Sequence, residues 1–486
     1  MNIRLRFPCW FMTNRLEQGL DGFKILEGGK GLPQDGRGTQ GPHTRNVRND
    51  MDMIPLFSDA EPLNDEYEIP GFLGGTASAG SSGANEGSEH AGVSDEFSMA
   101  DIQNIDVPRR RWAWVDIDLE AIRQNAKNIR RHVGPHVIIM AVVKDDGYGH
   151  GAVEVARAAL SSGAKYLGVS TVREGIELRT AGIDAPILVL TESPIETIPL
   201  VLHYDLISTV YTTEFALALG ETADALKMSA AYHLKVDTGM NRVGVHYSDA
   251  GDFLRTIDFH RGLDLQGVFT HFATAESPDT FGLRTQMDRF NQALDTIRYM
   301  GIDPGIVHAA NSAALIRFRE THFDMVRLGI ALYGLHPGDT TREIIRLKPA
   351  MSVHARVNCV KPVAVGEGVS YGFAYRSPGN VLIATIPMGY GDGLSRELSN
   401  RMDVLVEGRV YPQVGNICMD MCMFEIDQRS SSLHPRAEVQ VGQDVVIIGR
   451  SGALEITLDD MARMLGTINY ELACRFGLRL EKNYLD

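Results

Sequence analysis

Val137-Ile138-Ile139-Met140-Ala141-Val142-Val143-Lys144 is an apolar run that ends on a lysine, and Asp145-Asp146-Gly147-Tyr148-Gly149-His150-Gly151 follows at once. The run is too short and too β-branched for a helix, so it reads as a buried strand that delivers Lys144 to the mouth of a fold. Burial disfavours an ammonium and leaves a nucleophilic amine, which is what a Schiff base requires. A lysine at a strand end is more often just the place where a chain surfaces. The rest of the sequence has to decide between the two.

Outward from this run, strand-like and helix-like stretches alternate from about Trp112 onward. The pattern predicts strands over 137–144, 166–170, 186–190, 206–210, 231–236, 267–272, 306–310 and 325–328. Amphipathic helices are predicted at 152–162, 174–181, 214–226 and 283–300. This alternation indicates a (β/α)8 TIM-type barrel, with an open doubly wound sheet as the alternative. Lys144, Asp237, His271, Asn311 and Arg327 all fall at or just after strand ends. In a barrel those ends ring one active face.

Past Lys348 the helical period stops, and short alternating runs at 352–359, 381–387, 401–406, 421–426 and 444–449 predict a C-terminal, mainly β domain. A helix at 457–465 and the tail 467–484 close the chain. The expected division is an extension over 1–107, a barrel over 108–347 and a β domain over 348–486.

The extension is rich in Gly, Ser, Asn and Asp and is expected to be disordered. A start of translation at Met99 is an alternative account of it. No Lys or Arg occurs between Arg48 and Arg109 while thirteen acids do, so much of the net charge of −15 belongs there. With no basic stripe elsewhere, nucleic acid is not an expected partner. No apolar segment approaches the ~20 residues of a membrane span. The five cysteines, Cys9, Cys359, Cys418, Cys422 and Cys474, form no disulfide framework and no zinc-ligand pattern. A cytoplasmic protein without a metal is expected.

Several segments carry chemistry. Tyr148, Gly149 and Gly151 suit an approaching anion, and Asn311-Ser312 and Leu328-Gly329-Ile330 follow strands where barrels commonly hold phosphate. Lys235 to Arg242 ends a strand with two cations, and Arg242 suits a carboxylate. Gly368-Val369-Ser370-Tyr371-Gly372 sets a tyrosine between turns, where cations could make it a base.

Together these segments resemble the pyridoxal phosphate-dependent alanine racemases, in order, from about Trp112 to Tyr484. The likeness rests on Ala141 to Lys144 with Tyr148 to Gly151, Lys235 to Arg242, Thr270 to Ala273, His308 to Ala313, Arg327 to Gly334, Val369 to Gly372, Gly389 to Gly393, Cys418 to Asp420 and Thr467 to Glu471. It implies that Lys144 carries pyridoxal phosphate as an aldimine and then moves protons on the D face, while Tyr371 of a partner subunit serves the L face. Two proton-transfer groups on opposite faces are what inversion through a planar carbanion needs.

The resemblance further implies that Arg327 meets the pyridine nitrogen, and that His271 bonds both Arg327 and Tyr371. Tyr148, Ser312, Gly329, Ile330 and Tyr470 would hold the phosphate. Arg242 and the backbone of Met419, the latter from the partner, would hold the substrate carboxylate. Lys235 matches a lysine often carbamylated. The implied enzyme is a homodimer that supplies D-alanine for peptidoglycan. Alternatives are a serine or broader-specificity racemase and a non-catalytic pyridoxal phosphate carrier.

Four positions depart from the family pattern. Asp145 and Asp146 put two acids beside the cofactor lysine, Asn416 stands where an arginine is common, and Asn241 replaces a common glycine.

Overall fold

Eight short runs rich in Val, Ile and Leu pair in parallel, and every one overlaps a predicted strand, although Leu263–Phe269 starts four residues and ends three residues ahead of the predicted 267–272. The computed structural model describes residues 111–426 and 439–486. The expected extension, 1–107, lies outside the described residues. The barrel strands are β1 (Ile138–Val142), β2 (Tyr166–Val169), β3 (Ile187–Val189), β4 (Ser208–Val210), β5 (Ala230–Asp237), β6 (Leu263–Phe269), β7 (Ile306–His308) and β8 (Met325–Leu328). They neighbour one another in the order β3-β2-β1-β8-β7-β6-β5-β4. A bridge between Leu188 and Ile207 joins β3 to β4 and closes the ring. The open-sheet alternative is thereby removed.

The interior is filled in layers. Met140, Leu188, Ile207 and Met325 form one apolar layer. Alternation along β5 puts Ala231, His233 and Lys235 on one face. His233, Phe269, His308 and Arg327 make ring and hydrogen-bond contacts with one another across the interior. Outside run the helices Ala152–Ser161, Val172–Thr180, Thr213–Leu226 and Phe281–Tyr299. Thr171 and Glu174 make a reciprocal cap at the start of the second, a signature of a firmly placed helix start.

One element of the other domain comes from ahead of the barrel. The strand Ala113–Asp118 pairs antiparallel with Met351–Arg356 and parallel with Glu481–Leu485, the last strand. Asp118 then caps the helix Leu119–Val133, which leads to β1. The ten-stranded sheet also contains Cys359–Val363, Val381–Ile386, Asp403–Val406, Arg409–Val414, Cys422–Ile426 and Asp444–Ser451. Buried Asn125 locks the two parts together, donating to the Leu332 and Lys348 carbonyls and accepting from the Lys348 amide. The C-terminal segment also returns to the barrel, because the helix Asn469–Phe476 brings Tyr470 to its mouth. Among the described residues no helix is long and apolar enough to cross a membrane.

Candidate active site

The strand that carries the lysine stops two residues earlier than its sequence predicts, and the chain then winds the wrong way. β1 ends at Val142, and Asp145, Asp146, Gly147 and Tyr148 all have φ between 48° and 62°. This is a left-handed helical turn, closed by Gly147 N to Val143 O (2.8 Å) and Gly149 N to Asp145 O (3.0 Å). L-residues resist that conformation by about 1–2 kcal/mol each, so neighbours must impose it.

The imposing contacts are specific. Asp145 N donates to Glu174 Oε1 at 2.6 Å, and Asp146 Oδ1 accepts from Ala152 N at 2.9 Å. Lys482 Nζ lies 2.6 Å from Asp146 Oδ2. A side chain at Gly149 would meet the Ala473 carbonyl at 2.4 Å, so only glycine lets the turn pack on the C-terminal helix. Burial and a hydrogen bond with the Asp145 carboxylate raise the Cys474 thiol to about 12. Both acids therefore have partners outside the cavity, and neither lines it.

Lys144 is half-buried and lines a cavity of about 370 Å³ at the C-terminal ends of the barrel strands. Tyr148, Lys235, Arg242, His271, Ser312, Arg327, Gly329, Ile330 and Tyr470 line it too, so ten of the twelve sequence-predicted site residues converge. The lining contains four basic side chains, Lys144, Lys235, Arg242 and Arg327, and no carboxylate. Such a wall favours an anionic occupant.

Ser312 Oγ accepts from the amides of Gly329 (3.0 Å) and Ala331 (3.4 Å). A Cβ at Gly329 would stand 3.2 Å from the Tyr148 hydroxyl and 3.6 Å from Ser312 Oγ, filling the space between them. Tyr148 packs between Tyr333 and Tyr470, with ring centroids at 5.0 and 6.2 Å, and burial raises its hydroxyl above the usual range, keeping it a donor. Tyr333, itself buried, donates to Val142 O (2.8 Å) and so fixes the end of β1.

Among the described residues, buried Arg327 has no carboxylate partner. It donates to the Thr270 and Ala309 carbonyls at 2.7 Å, to His271 Nδ1 at 3.0 Å and to His308 Nδ1 at 2.9 Å. Burial and Arg242 lower it to about 9, so it is still a cation at neutral pH. Burial and Arg327 also hold His271 and His308 well below the ordinary imidazole value, so both are neutral acceptors. Lys235 sits 5.3 Å from the Phe269 ring centroid, and burial, Arg327 and Arg242 lower it to about 7 against the opposing pull of Asp237.

Tyr371 and Met419 are not in this cavity. Tyr371 is 73 % exposed and Met419 54 % exposed, and both line a separate cavity of about 880 Å³ in the β domain. Ser370 (φ 64°) and Gly372 (φ 71°) set Tyr371 on a sharp turn. Asn416 holds that turn by donating to the Tyr371 carbonyl (2.7 Å). Its place is thus structural, and it lines neither this cavity nor the one around Lys144. Within one chain, Tyr371 and His271 line different cavities.

Sequence reading quoted His308 within a motif but gave it no task, and it passed over His233 and Lys482. The alternation of His233 with Lys235 along β5 is a usable signal for His233; Lys482 has none.

Comparison with known proteins accords with this arrangement. Family models for the alanine racemase N-terminal domain and C-terminal domain match residues 117–337 and 350–484. The chain is 42% identical over 374 residues to the alanine racemase of Nostoc sp. strain PCC 7120, covering 76% of this chain and 95% of that one. The solved alanine racemase from Bacillus anthracis with bound L-Ala-P superposes with a TM-score of 0.73 at 38% identity, covering 78% of this chain and 96% of that one. A histidine racemase from Leuconostoc mesenteroides superposes at 0.71 and 28% identity, covering 78% and 99%. On both its domains and over nearly the whole length of these relatives, the chain belongs to the alanine racemase family.

Proposed function

We propose that this chain interconverts L-alanine and D-alanine with pyridoxal 5'-phosphate, supplying D-alanine for peptidoglycan. The observation that carries the reading is the convergence of Lys144, an anion cradle and Arg327 in one carboxylate-free cavity. The donors fit the cofactor: Tyr148, Ser312, Gly329, Ile330 and Tyr470 would hold its phosphate, and Gly329 leaves the room a Cβ would fill. Bound there, it supplies the electron sink that lets the α-proton leave the amino acid.

This chain's own groups do the rest. Lys144 Nζ anchors the cofactor and, once free, takes or returns the α-proton on one face. The Tyr371 hydroxyl of a second copy does so on the other. Arg242 and the Met419 backbone, the latter again from the second copy, hold the substrate carboxylate. Arg327, at the cavity wall, would give the ring nitrogen a donor and so would limit how far charge is drawn into the ring, restricting side reactions. His271 orients Arg327. A carbamate on Lys235 would turn a cation toward Arg242 into an anion that orients it.

A homodimer with shared sites follows from this assignment, because Tyr371 and Met419 are far exposed on their own chain. We retain the division at 1–107, 108–347 and 348–486, with Ala113–Asp118 lent to the β domain. A cytoplasmic setting fits four free cysteines, Cys359, Cys418, Cys422 and Cys474.

The test is conversion of L-alanine by the cofactor-loaded protein, followed by chiral chromatography. No turnover in a folded, loaded dimer overturns the reading. Mixing Lys144→Ala with Tyr371→Phe chains should restore about a quarter of the wild-type sites if the sites are shared. The histidine racemase on the same fold favours measuring larger amino acids beside alanine.

A further inference from the structure

We infer that His233 is a positioning residue for Arg327, acting through the tautomer of His308. The inference rests on the proposed role of Arg327 toward the cofactor ring.

A guanidinium has donors only. Arg327 Nη1 stands 2.9 Å from His308 Nδ1, so that nitrogen accepts, and the single proton of the neutral ring is on Nε2. His308 Nε2 lies 2.9 Å from His233 Nδ1, which must accept in turn. The proton of His233 is then on its own Nε2, for which no described residue offers an acceptor. Each proton along Arg327, His308 and His233 is fixed by the one before it. With the opposite tautomer at His308, two donors would face each other across 2.9 Å.

The barrel is shaped to seat this ring. A Cβ at Gly267 would lie 2.7 Å from both Cε1 and Nδ1 of His233. The pairing of β5 with β6 shifts register there, with Tyr232 opposite Leu265 and His233 opposite Gly267. Phe269 stacks on His308 with ring centroids 4.6 Å apart and planes at 5°, closing that ring's face. Burial, and then Arg327, hold His233 down at about 3, so it stays neutral.

The plainer account makes His233 a packing residue. Burying a ring N–H that no described residue accepts is costly, and a leucine of similar bulk would avoid it. What a leucine lacks is the acceptor at the Nδ1 position.

The experiment labels the histidines of the cofactor-loaded protein with nitrogen-15 and reads ring tautomers by NMR at neutral pH. His308 is expected with its proton on Nε2 and Nδ1 bare; a proton on His308 Nδ1 overturns the inference, whatever the activity. The kinetic arm uses His233→Leu, expected to lower kcat about tenfold while KM for alanine stays within about twofold, since the carboxylate site is elsewhere. The absorption maximum of the bound cofactor should shift in the same variant. His233→Asn, which returns an acceptor near the Nδ1 position, should recover kcat to within about threefold. Unchanged kcat and spectrum in a folded His233→Leu protein also overturn it. Should the wild type not racemise alanine, the proposed function fails, but the tautomer reading still decides the inference.

Discussion

The Lys482 ammonium lies 2.6 Å from the Asp146 carboxylate and joins the last strand of the chain to the turn that follows Lys144. The same Lys482 Nζ also donates to the Gly477 carbonyl at 2.9 Å, so the ammonium has two partners. An acid beside Lys144 is thus engaged by another part of the chain before it can act on the amine. Half-exposed ion pairs contribute little, about 0–1 kcal/mol, whereas the bond from Ala152 N to Asp146 Oδ1 acts as a helix cap. Asp146→Asn keeps an oxygen for the cap and should lose less stability than Asp146→Ala, by about 1 kcal/mol. Urea unfolding of both variants checks this, and equal losses would assign the residue to the ion pair instead.

Replacing either of the two proposed proton carriers should give a different isotope pattern. Tyr371→Phe is expected to lower racemisation by about 10²–10⁴-fold. Exchange of the α-hydrogen of D-alanine with deuterated water should persist through Lys144, while that of L-alanine slows. Proton NMR of each enantiomer in deuterium oxide measures both, and equal slowing would contradict the assignment of faces.

Arg242 is exposed at the rim of the cavity. Arg242→Leu should raise KM for alanine by about 10–100-fold, the loss of a charge-assisted hydrogen bond, with a smaller change in kcat. Steady-state kinetics separates the two, and a pure kcat effect would point to a role away from the carboxylate.

Lys235 links stability to pH. Its amine is lowered to about 7 in the folded protein from 10.5. Between those values the unfolded chain binds more protons, so stability rises as pH rises through about 7 toward 10.5 and falls on the way back down. Each unit within the window contributes up to about 1.4 kcal/mol. Denaturation in buffers free of carbon dioxide should show the slope, and Lys235→Met should flatten it. In carbon-13 bicarbonate the same neutral amine should give a carbamate resonance that the variant lacks.

The barrel was legible because each strand carries its own apolar signal within three to eight residues, and parallel strands buried on both faces need little else to be recognised. Of the ten residues around the cavity, Lys144, His271 and Arg327 were legible as strand ends that share one face of a barrel, whereas Tyr470 sits on a helix far along the chain and was named only through the family resemblance. Pairing of Ala113–Asp118 with strands at the far end of the chain was not, since no local pattern encodes a partner more than two hundred residues away. The turn at Asp145 to Tyr148 was hidden for another reason: three of its four residues prefer right-handed backbone, and only Glu174, Ala152, Lys482 and the close helix around Ala473 overrule them. His233 was overlooked because a histidine on an inward face looks like packing until the donor direction of Arg327 is followed through His308.

That left-handed turn also bears on the handedness of building blocks. Positive φ suits the mirror-image amino acid, so D-residues introduced by semisynthesis at 145, 146 or 148 should fit without strain, provided their side chains keep the contacts made here. Each would relieve about 1–2 kcal/mol that the L-residue bears. The segment holding the lysine of this racemase family member is therefore one where the enantiomer of an ordinary residue is the better backbone, and ribosomal synthesis leaves it only glycine, at Gly147 and Gly149, as a substitute.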